Sequence, residues 1–181
     1  MLDKEVLRLI DKVFKTIVGE KDRLKHVLVQ QNKAVVTNGY MLYYFPLFAQ
    51  DGFYTLSKDT TKKPSRLQLT YVGSQDLALD KDSAVYGYPA WDSCMRLVQR
   101  PTWPFSEPKK AKKFSQSATL LTALVREIYL KCPANVAFAV EYLEWATQLR
   151  FEIVRFETYE EQTVALEYMD GSVFILMGLR W

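Results

Sequence analysis

The sequence predicts an α+β fold in which antiparallel sheets carry about three helices packed on one face. The predicted elements run from a helix to a set of strands, then to two helices and a final set of strands. This order lacks the strand–helix alternation that builds a parallel sheet. The chain has 181 residues, of which 49% are hydrophobic and 25% are charged. Such a chain can form one globular domain, or two small ones, with a sizeable core.

The first helix is predicted over Asp3–Val18. Apolar residues recur there at three- and four-residue steps, Asp3 is a suitable N-cap, and Gly19 follows as a stop signal. The opposite face is basic and carries Lys4, Arg8, Lys12 and Lys15. A basic row of this kind fits an ordinary solvated face, and it also fits a surface that follows a phosphate backbone.

Short strands are predicted after this helix, because apolar or alternating runs lie there between turn signals. Asn32-Lys33 and Asn38-Gly39 favour tight turns, since Asn and Gly tolerate positive φ. The predicted strands are Leu24–Gln31, Ala34–Thr37, Tyr40–Phe45, Phe53–Ser57, Arg66–Val72 and Ala84–Tyr88.

A change of composition marks the middle of the chain. Pro101, Pro104 and Pro108 disfavour regular structure there, and a run of lysines follows them. This segment fits a solvated hinge or a flexible contact to phosphates. We therefore expect an N-terminal part over residues 1–99, a Pro/Lys-rich linker over 100–117 and a C-terminal part over 118–181, unless the whole folds as one compact unit. The lysines of the linker are Lys109, Lys110, Lys112 and Lys113.

Two helices and an antiparallel run of three strands are predicted for the C-terminal part. Asp170-Gly171 separates the last two strands and favours a tight hairpin turn. The final strand is apolar, so we interpret it either as a core strand or as the wall of a binding groove. The predicted helices are Ala118–Leu130 and Val136–Leu149, and the predicted strands are Phe151–Glu157, Val164–Met169 and Val173–Leu179.

The composition argues against several classes of function. The chain contains two cysteines, Cys94 and Cys132, and one histidine, His26. These three residues are too few for a four-ligand zinc site of the usual Cys/His kind. No Gly-rich phosphate loop or metalloprotease motif occurs, and His26 has no nucleophile near it in sequence. We therefore predict a binding protein without catalytic residues, metal or cofactor. No apolar run is long enough to span a membrane and the first residues do not resemble a signal peptide, so we expect a cytoplasmic protein.

Three separated parts of the chain resemble one protein family, and they occur in that family's order. Val36–Leu42 (V-T-N-G-Y-M-L) resembles the A-T-D-G-H-R-L segment of the bacterial sliding clamp, the β subunit of DNA polymerase III. Gly87–Trp91 (G-Y-P-A-W), with Cys94-Met95 beyond it, resembles the clamp's G-x-F-P-D-Y segment. Phe138–Ala146 and Phe174–Trp181 (F-I-L-M-G-L-R-W) are similar to the clamp's last helix and its terminal Y-x-V-M-P-M-R-L.

The resemblance implies a binding site. In the sliding clamps these segments converge on one hydrophobic pocket that receives short linear peptides of polymerases and other replication or repair proteins. It also implies that the basic face of the first helix contacts double-stranded DNA through its phosphates. The lysine run is a separate candidate for DNA binding, suggested by its charge. The implied peptide-binding residues are Leu24, Thr37, Gly39, Tyr40, Leu42, Pro89, Cys94, Ile175, Met177, Leu179 and Arg180.

The chain departs from the family in sequence and in length. Tyr40-Met41 stand where the clamps have His-Arg, Asn38 stands for Asp, and Gly178 stands for Pro. The chain is about half as long as a clamp subunit, so a ring would require self-assembly into a homo-oligomer. Our first hypothesis is a compact clamp-like replication and processivity protein. The second is a clamp-like adaptor or regulator that does not encircle DNA, and the third is a small enzyme with catalytic residues that the motifs do not reveal.

Overall fold

A computed structural model describes residues 2–18, 24–61, 66–74, 121–126, 128, 130, 136–149, 153–159 and 163–180. The chain divides into two compact units, Met1–Trp91 (unit 1) and Asp92–Trp181 (unit 2). The linker predicted at residues 100–117 lies outside the described residues. The predicted boundaries at residues 99 and 118 therefore remain predictions. Within the described parts, no helix is long and apolar enough to cross a membrane.

Unit 1 begins with helix α1, Lys4–Lys15. The predicted N-cap is confirmed, because the Asp3 carboxylate accepts a hydrogen bond from the Glu5 N–H at 2.8 Å. The helix ends earlier than the predicted Val18. The N–H groups of Thr16 and Ile17 bond to the carbonyls three residues before them, which tightens the last turn and stops the α-helix.

Five antiparallel strands follow α1 in unit 1: β1 Val27–Gln30, β2 Lys33–Thr37, β3 Met41–Pro46, β4 Gly52–Asp59 and β5 Arg66–Gly73. The strands lie in the order β5-β4-β1-β2-β3, so β4 returns to the far side of β1. Five of the predicted strands are thus confirmed, with bounds shifted by up to three residues. The strand predicted at Ala84–Tyr88 lies outside the described residues.

The turn between β1 and β2 differs by one residue from the prediction. Gln31 and Asn32 have φ of 52° and 61°, and Lys33 already pairs with Gln30 in the sheet. A two-residue hairpin turn of this type needs positive φ at both positions, and the Asp51 carboxylate holds Gln31 there by accepting its N–H at 2.9 Å.

The segment from β3 to β4 crosses this same turn. The Leu47 N–H, at its start, donates to the Asn32 carbonyl at 2.9 Å, while Asp51, at its end, accepts from Gln31. The crossing segment is therefore bonded at both ends to the β1–β2 turn, which fixes where β4 joins the sheet.

The core of unit 1 lies between α1 and the sheet. The helix contacts β2, β4 and β5, and its inward residues are almost completely buried. Consecutive residues of β1 and β2 are also buried, so both faces of these strands are covered. The buried residues of α1 are Val6, Leu9, Ile10 and Val13.

The elements of unit 2 are β6 Val136–Ala137, α2 Val140–Thr147, β7 Ile153–Tyr159, β8 Thr163–Tyr168, β9 Val173–Met177 and β10 Leu179–Arg180. They include the predicted antiparallel run of three strands. β7 pairs with β8 and β8 pairs with β9, which confirms this run. A hydrogen bond of 2.8 Å from the Tyr168 hydroxyl to the Ala146 carbonyl ties β8 to helix α2, and both residues are buried. Residues 121–126 are helical, within the helix predicted at 118–130.

Two predictions for unit 2 are wrong at one end. The last helix begins at Val140 and not at Val136, because Val136–Ala137 forms β6 and pairs with β10. The final strand is interrupted at Gly178, so β9 ends at Met177 and β10 belongs to a separate two-stranded ladder. In both cases a long-range backbone pairing overrides the local pattern of apolar residues.

The same local order occurs in both units: a helix, then three antiparallel strands, with an Asx-Gly turn before the third strand. Gly39 has φ of 91° and Gly171 has φ of 79°, values that glycine adopts without strain. Asp170 accepts bonds from the N–H and the hydroxyl of Ser172 at 3.0 and 2.6 Å. In the parts of the chain that the structure describes, helices and antiparallel strands occur without strand–helix alternation, which confirms the predicted α+β class.

Replacing Gly52 by alanine should destabilise the β4–β5 pair by about 1–3 kcal/mol through steric overlap, in addition to the backbone cost of its positive φ. Gly52 has φ of 144°, and an added Cβ would overlap the Gly73 carbonyl oxygen and lie 2.7 Å from the Tyr71 ring. Hydrogen exchange of the β4–β5 amides measures the loss.

The control is Gly171→Ala, where φ is 79° and no atom lies within 4 Å of the added Cβ, so only the backbone cost of about 1–2 kcal/mol applies to β8–β9. Equal losses in the two variants would contradict the predicted steric overlap at Gly52.

Candidate functional site

The turn between β2 and β3 carries the first of the three clamp-like segments. Its shape depends on the side chains of Thr37 and Asn38, which are 4% and 3% exposed. The Thr37 hydroxyl accepts the Gly39 N–H at 3.0 Å and donates to the Met41 carbonyl at 2.6 Å. The Asn38 side-chain oxygen accepts the N–H groups of Tyr40 and Met41 at 3.0 and 3.1 Å. Two side chains therefore bond three consecutive backbone N–H groups of the turn.

This turn presents an aromatic side chain at the surface. Tyr40 is 45% exposed, whereas Leu42, one position beyond Met41, is buried and pairs across the hairpin with Thr37. Leu24 is also buried and lies shortly before β1. Of the predicted peptide-binding residues in this part of the chain, Gly39 and Tyr40 are exposed, while Leu24, Thr37 and Leu42 belong to the core of unit 1.

Pro89 and Cys94 are the predicted peptide-binding residues of the second clamp-like segment, and both lie outside the described residues. Their predicted role stays a prediction.

The third segment is divided between β9 and β10. Ile175 is 2% exposed and pairs with Ala165 in the middle of the three strands of unit 2, so it is a core residue. Met177, at the end of β9, is 52% exposed. The backbones of Leu179 and Arg180 pair with Ala137 and Val136 respectively. Among the described side chains of this segment, Met177 is therefore the one that a partner can reach most easily.

The predicted DNA-binding residues of α1 occupy its outer face. Lys4, Arg8 and Lys15 are exposed and Lys12 is partly exposed, while the apolar residues of the opposite face are buried. Asp11 lies on the same outer face and pairs with Lys15 at 2.6 Å, which reduces the positive charge available there. Lys12 and Lys15 also lie in the last turn, where cations interact favourably with the helix dipole. The lysine run at residues 109–113 lies outside the described residues.

Thr16 contacts the β2–β3 turn, although the sequence alone did not identify it as a functional or structural residue. Its hydroxyl accepts a 2.8 Å bond from the Asn38 side-chain amide and donates to the Val13 carbonyl at 2.7 Å. The contact joins the end of α1 to the β2–β3 turn, 22 positions away in sequence. In the sequence Thr16 falls inside the helix predicted over Asp3–Val18, so spacing indicates neither its position at the helix end nor its partner.

The described residues contain no group of three or more His, Cys, Asp or Glu side chains placed to hold a metal ion. The groups brought together on the turn are hydrogen-bonded backbone amides and an exposed phenol ring. Because these amides already bond to Thr37 and Asn38, the exposed part of the Tyr40 ring, with its apolar body and polar tip, is what the turn offers to a partner.

No protein-family model and no curated protein sequence matches the chain. Among solved structures, it is similar to the sliding clamp (DNA polymerase III subunit β) of Pseudomonas aeruginosa bound to griselimycin, with 13% identity and a TM-score of 0.47. That alignment covers 99% of this chain and 64% of the clamp. A second structure, the DNA polymerase III subunit β of the same organism, aligns with 14% identity and a TM-score of 0.43 over 99% of this chain and 66% of the other. The chain thus spans less than two thirds of the length of both structures.

Proposed function

We propose that the chain is a sliding-clamp-like replication protein that binds short linear peptide motifs of a DNA polymerase or of other replication proteins. The observation that carries this proposal is the order of the three clamp-like segments in the sequence. The proposed activity is binding, without a reaction catalysed by the chain and without a cofactor, and the proposed location is the cytoplasm.

The accessibility of two predicted residues supports peptide binding. Tyr40 and Met177 are apolar or aromatic, lie in two of the clamp-like segments and are 45% and 52% exposed. Aromatic and methionine side chains are enriched where proteins bind partners, and the flexible methionine side chain adapts to different anchors. An apolar peptide anchor such as leucine or phenylalanine is the complementary group.

Non-specific binding to double-stranded DNA is the second part of the proposal. The row Lys4, Arg8 and Lys12 lies on the face of α1 that points away from the core of unit 1. Lysine and arginine side chains in such a row contact phosphates without reading the base sequence.

A clamp-like adaptor that does not encircle DNA is the alternative function. A ring made from this chain would require assembly of copies, whereas an adaptor would not. The peptide and DNA experiments test both functions, and the oligomeric state separates them.

Met177→Ala should weaken binding of a labelled Q-L-x-L-F-type peptide about fivefold or more, because it removes an exposed apolar contact from the proposed site. Tyr40→Ala should have a similar effect. Fluorescence polarisation gives the dissociation constants.

The matched control for this measurement is Met169→Ala. Met169 is 73% exposed, lies in the same unit and belongs to none of the predicted binding residues. Its replacement should change the affinity less than about twofold. The proposed site is wrong if the Met169 and Met177 variants lose the same affinity, or if neither loses any.

DNA binding should weaken steeply as salt concentration rises, and the Lys4→Glu/Arg8→Glu variant should show a shallower salt dependence. The expected change in the slope of log K against log salt is about one for each phosphate contact removed. Lys58→Glu, an exposed charge change on β4, is the control and should have a much smaller effect. An absent or salt-independent signal on linear and nicked circular DNA would contradict the DNA-binding part.

Light scattering should give a mass several times the 21.1 kDa of one chain if copies assemble into a ring. The measurement is made over a range of protein concentrations, with and without nicked circular DNA. A monomer at high concentration would exclude the ring and leave the adaptor as the remaining clamp-like function.

A further inference from the structure

Asn38 is buried between two elements of unit 1 that are distant in sequence. Its side-chain oxygen accepts the N–H groups of Tyr40 and Met41, and its side-chain nitrogen donates to the Thr16 hydroxyl at 2.8 Å. The two backbone donors fix the orientation of the amide, because only the oxygen can accept them. The Thr16 hydroxyl in turn donates to the Val13 carbonyl of α1.

We propose that Asn38 is a positioning residue of the peptide-binding site: its amide fixes the turn that presents Tyr40 and fastens this turn to the end of α1 through Thr16. The role at the peptide rests on the proposed function. The bonding itself does not, since it lies entirely within unit 1.

An amide is the side chain that suits this place. An alanine would supply neither the acceptor nor the donor. An aspartate, the residue of the clamp segment at this position, would keep the acceptor for Tyr40 and Met41 but would lose the N–H that bonds Thr16. It would also bring a charge to a side chain that is 3% exposed, which is unfavourable without a cationic partner.

The fixed turn affects binding through pre-organisation. Tyr40 follows the positive-φ Gly39, so its ring direction depends on the backbone of this turn, which the side-chain hydrogen bonds of Thr37 and Asn38 help to hold. When these bonds are lost, the turn samples other conformations and a ligand must order it again on binding. The expected result is weaker binding although the Tyr40 side chain itself is unchanged.

The experiment compares Asn38→Ala, Asn38→Asp, Thr16→Val and Thr16→Ser in the full chain. Thr16 is exposed and Val has the same shape, so this variant tests the connection even if the Asn38 variants fold poorly. Thr16→Ser keeps the hydroxyl and is the control. Two quantities are measured for each: hydrogen exchange of the Tyr40 and Met41 amides, and the affinity for the Q-L-x-L-F-type peptide.

Asn38→Ala should speed hydrogen exchange of the Tyr40 and Met41 amides about tenfold or more and lower the affinity for the peptide about fivefold or more. Asn38→Asp and Thr16→Val should give smaller changes of the same sign, and Thr16→Ser should match the unmodified protein. In the Asn38→Ala background, Thr16→Val should add little, because the two residues share one bond.

The outcomes separate this inference from the proposed function. If the unmodified protein binds no peptide, the proposed function is wrong and the role at the peptide falls with it. If it binds and Asn38→Ala binds equally well, the positioning role alone is overturned. Unchanged amide exchange in Asn38→Ala and Thr16→Val would overturn the fixing of the turn, whatever the peptide does.

Discussion

Burial of one face of α1 against the sheet is the constraint on which the rest of unit 1 depends. The helix can bury Val6, Ile10 and Val13 only by turning its basic residues outward, so the charged row follows from the packing of the core. The same packing places the end of α1 beside the β2–β3 turn, where Thr16 meets Asn38. The proposed DNA-binding face on α1 and the proposed peptide-binding turn between β2 and β3 therefore lie on elements that pack against each other.

The sequence predicts most of the fold where local chemistry is sufficient. Asp3 is correctly predicted as an N-cap and Asp170-Gly171 as a turn. In both cases the aspartate carboxylate accepts a hydrogen bond from the backbone N–H two residues further on. The errors arise where a distant partner decides. By its sequence Val136–Ala137 resembles the start of a helix, but in the structure it pairs with Leu179–Arg180. No local pattern gives the position of that partner.

The candidate site is predictable to a smaller extent. The segments can be found in the sequence, but the division between core and surface within them cannot. Thr37 and Leu42 are buried while Tyr40, between them, is exposed, because the turn leaves the sheet at that point. Along β9 buried and exposed residues do not alternate, since Val173–Leu176 are all buried. Met177, the last residue of β9, is the first side chain after this buried run that is exposed.

The crossing of the β3–β4 segment over the β1–β2 turn has a consequence for the order of folding. β1, β2 and β3 form a meander of neighbours in sequence, and such local hairpins close rapidly. β4 must instead find β1 across the finished hairpin, and its connecting segment bonds to a turn that has to exist first. The meander is therefore the nucleus expected for unit 1, and β4 and β5 add to it in a later step.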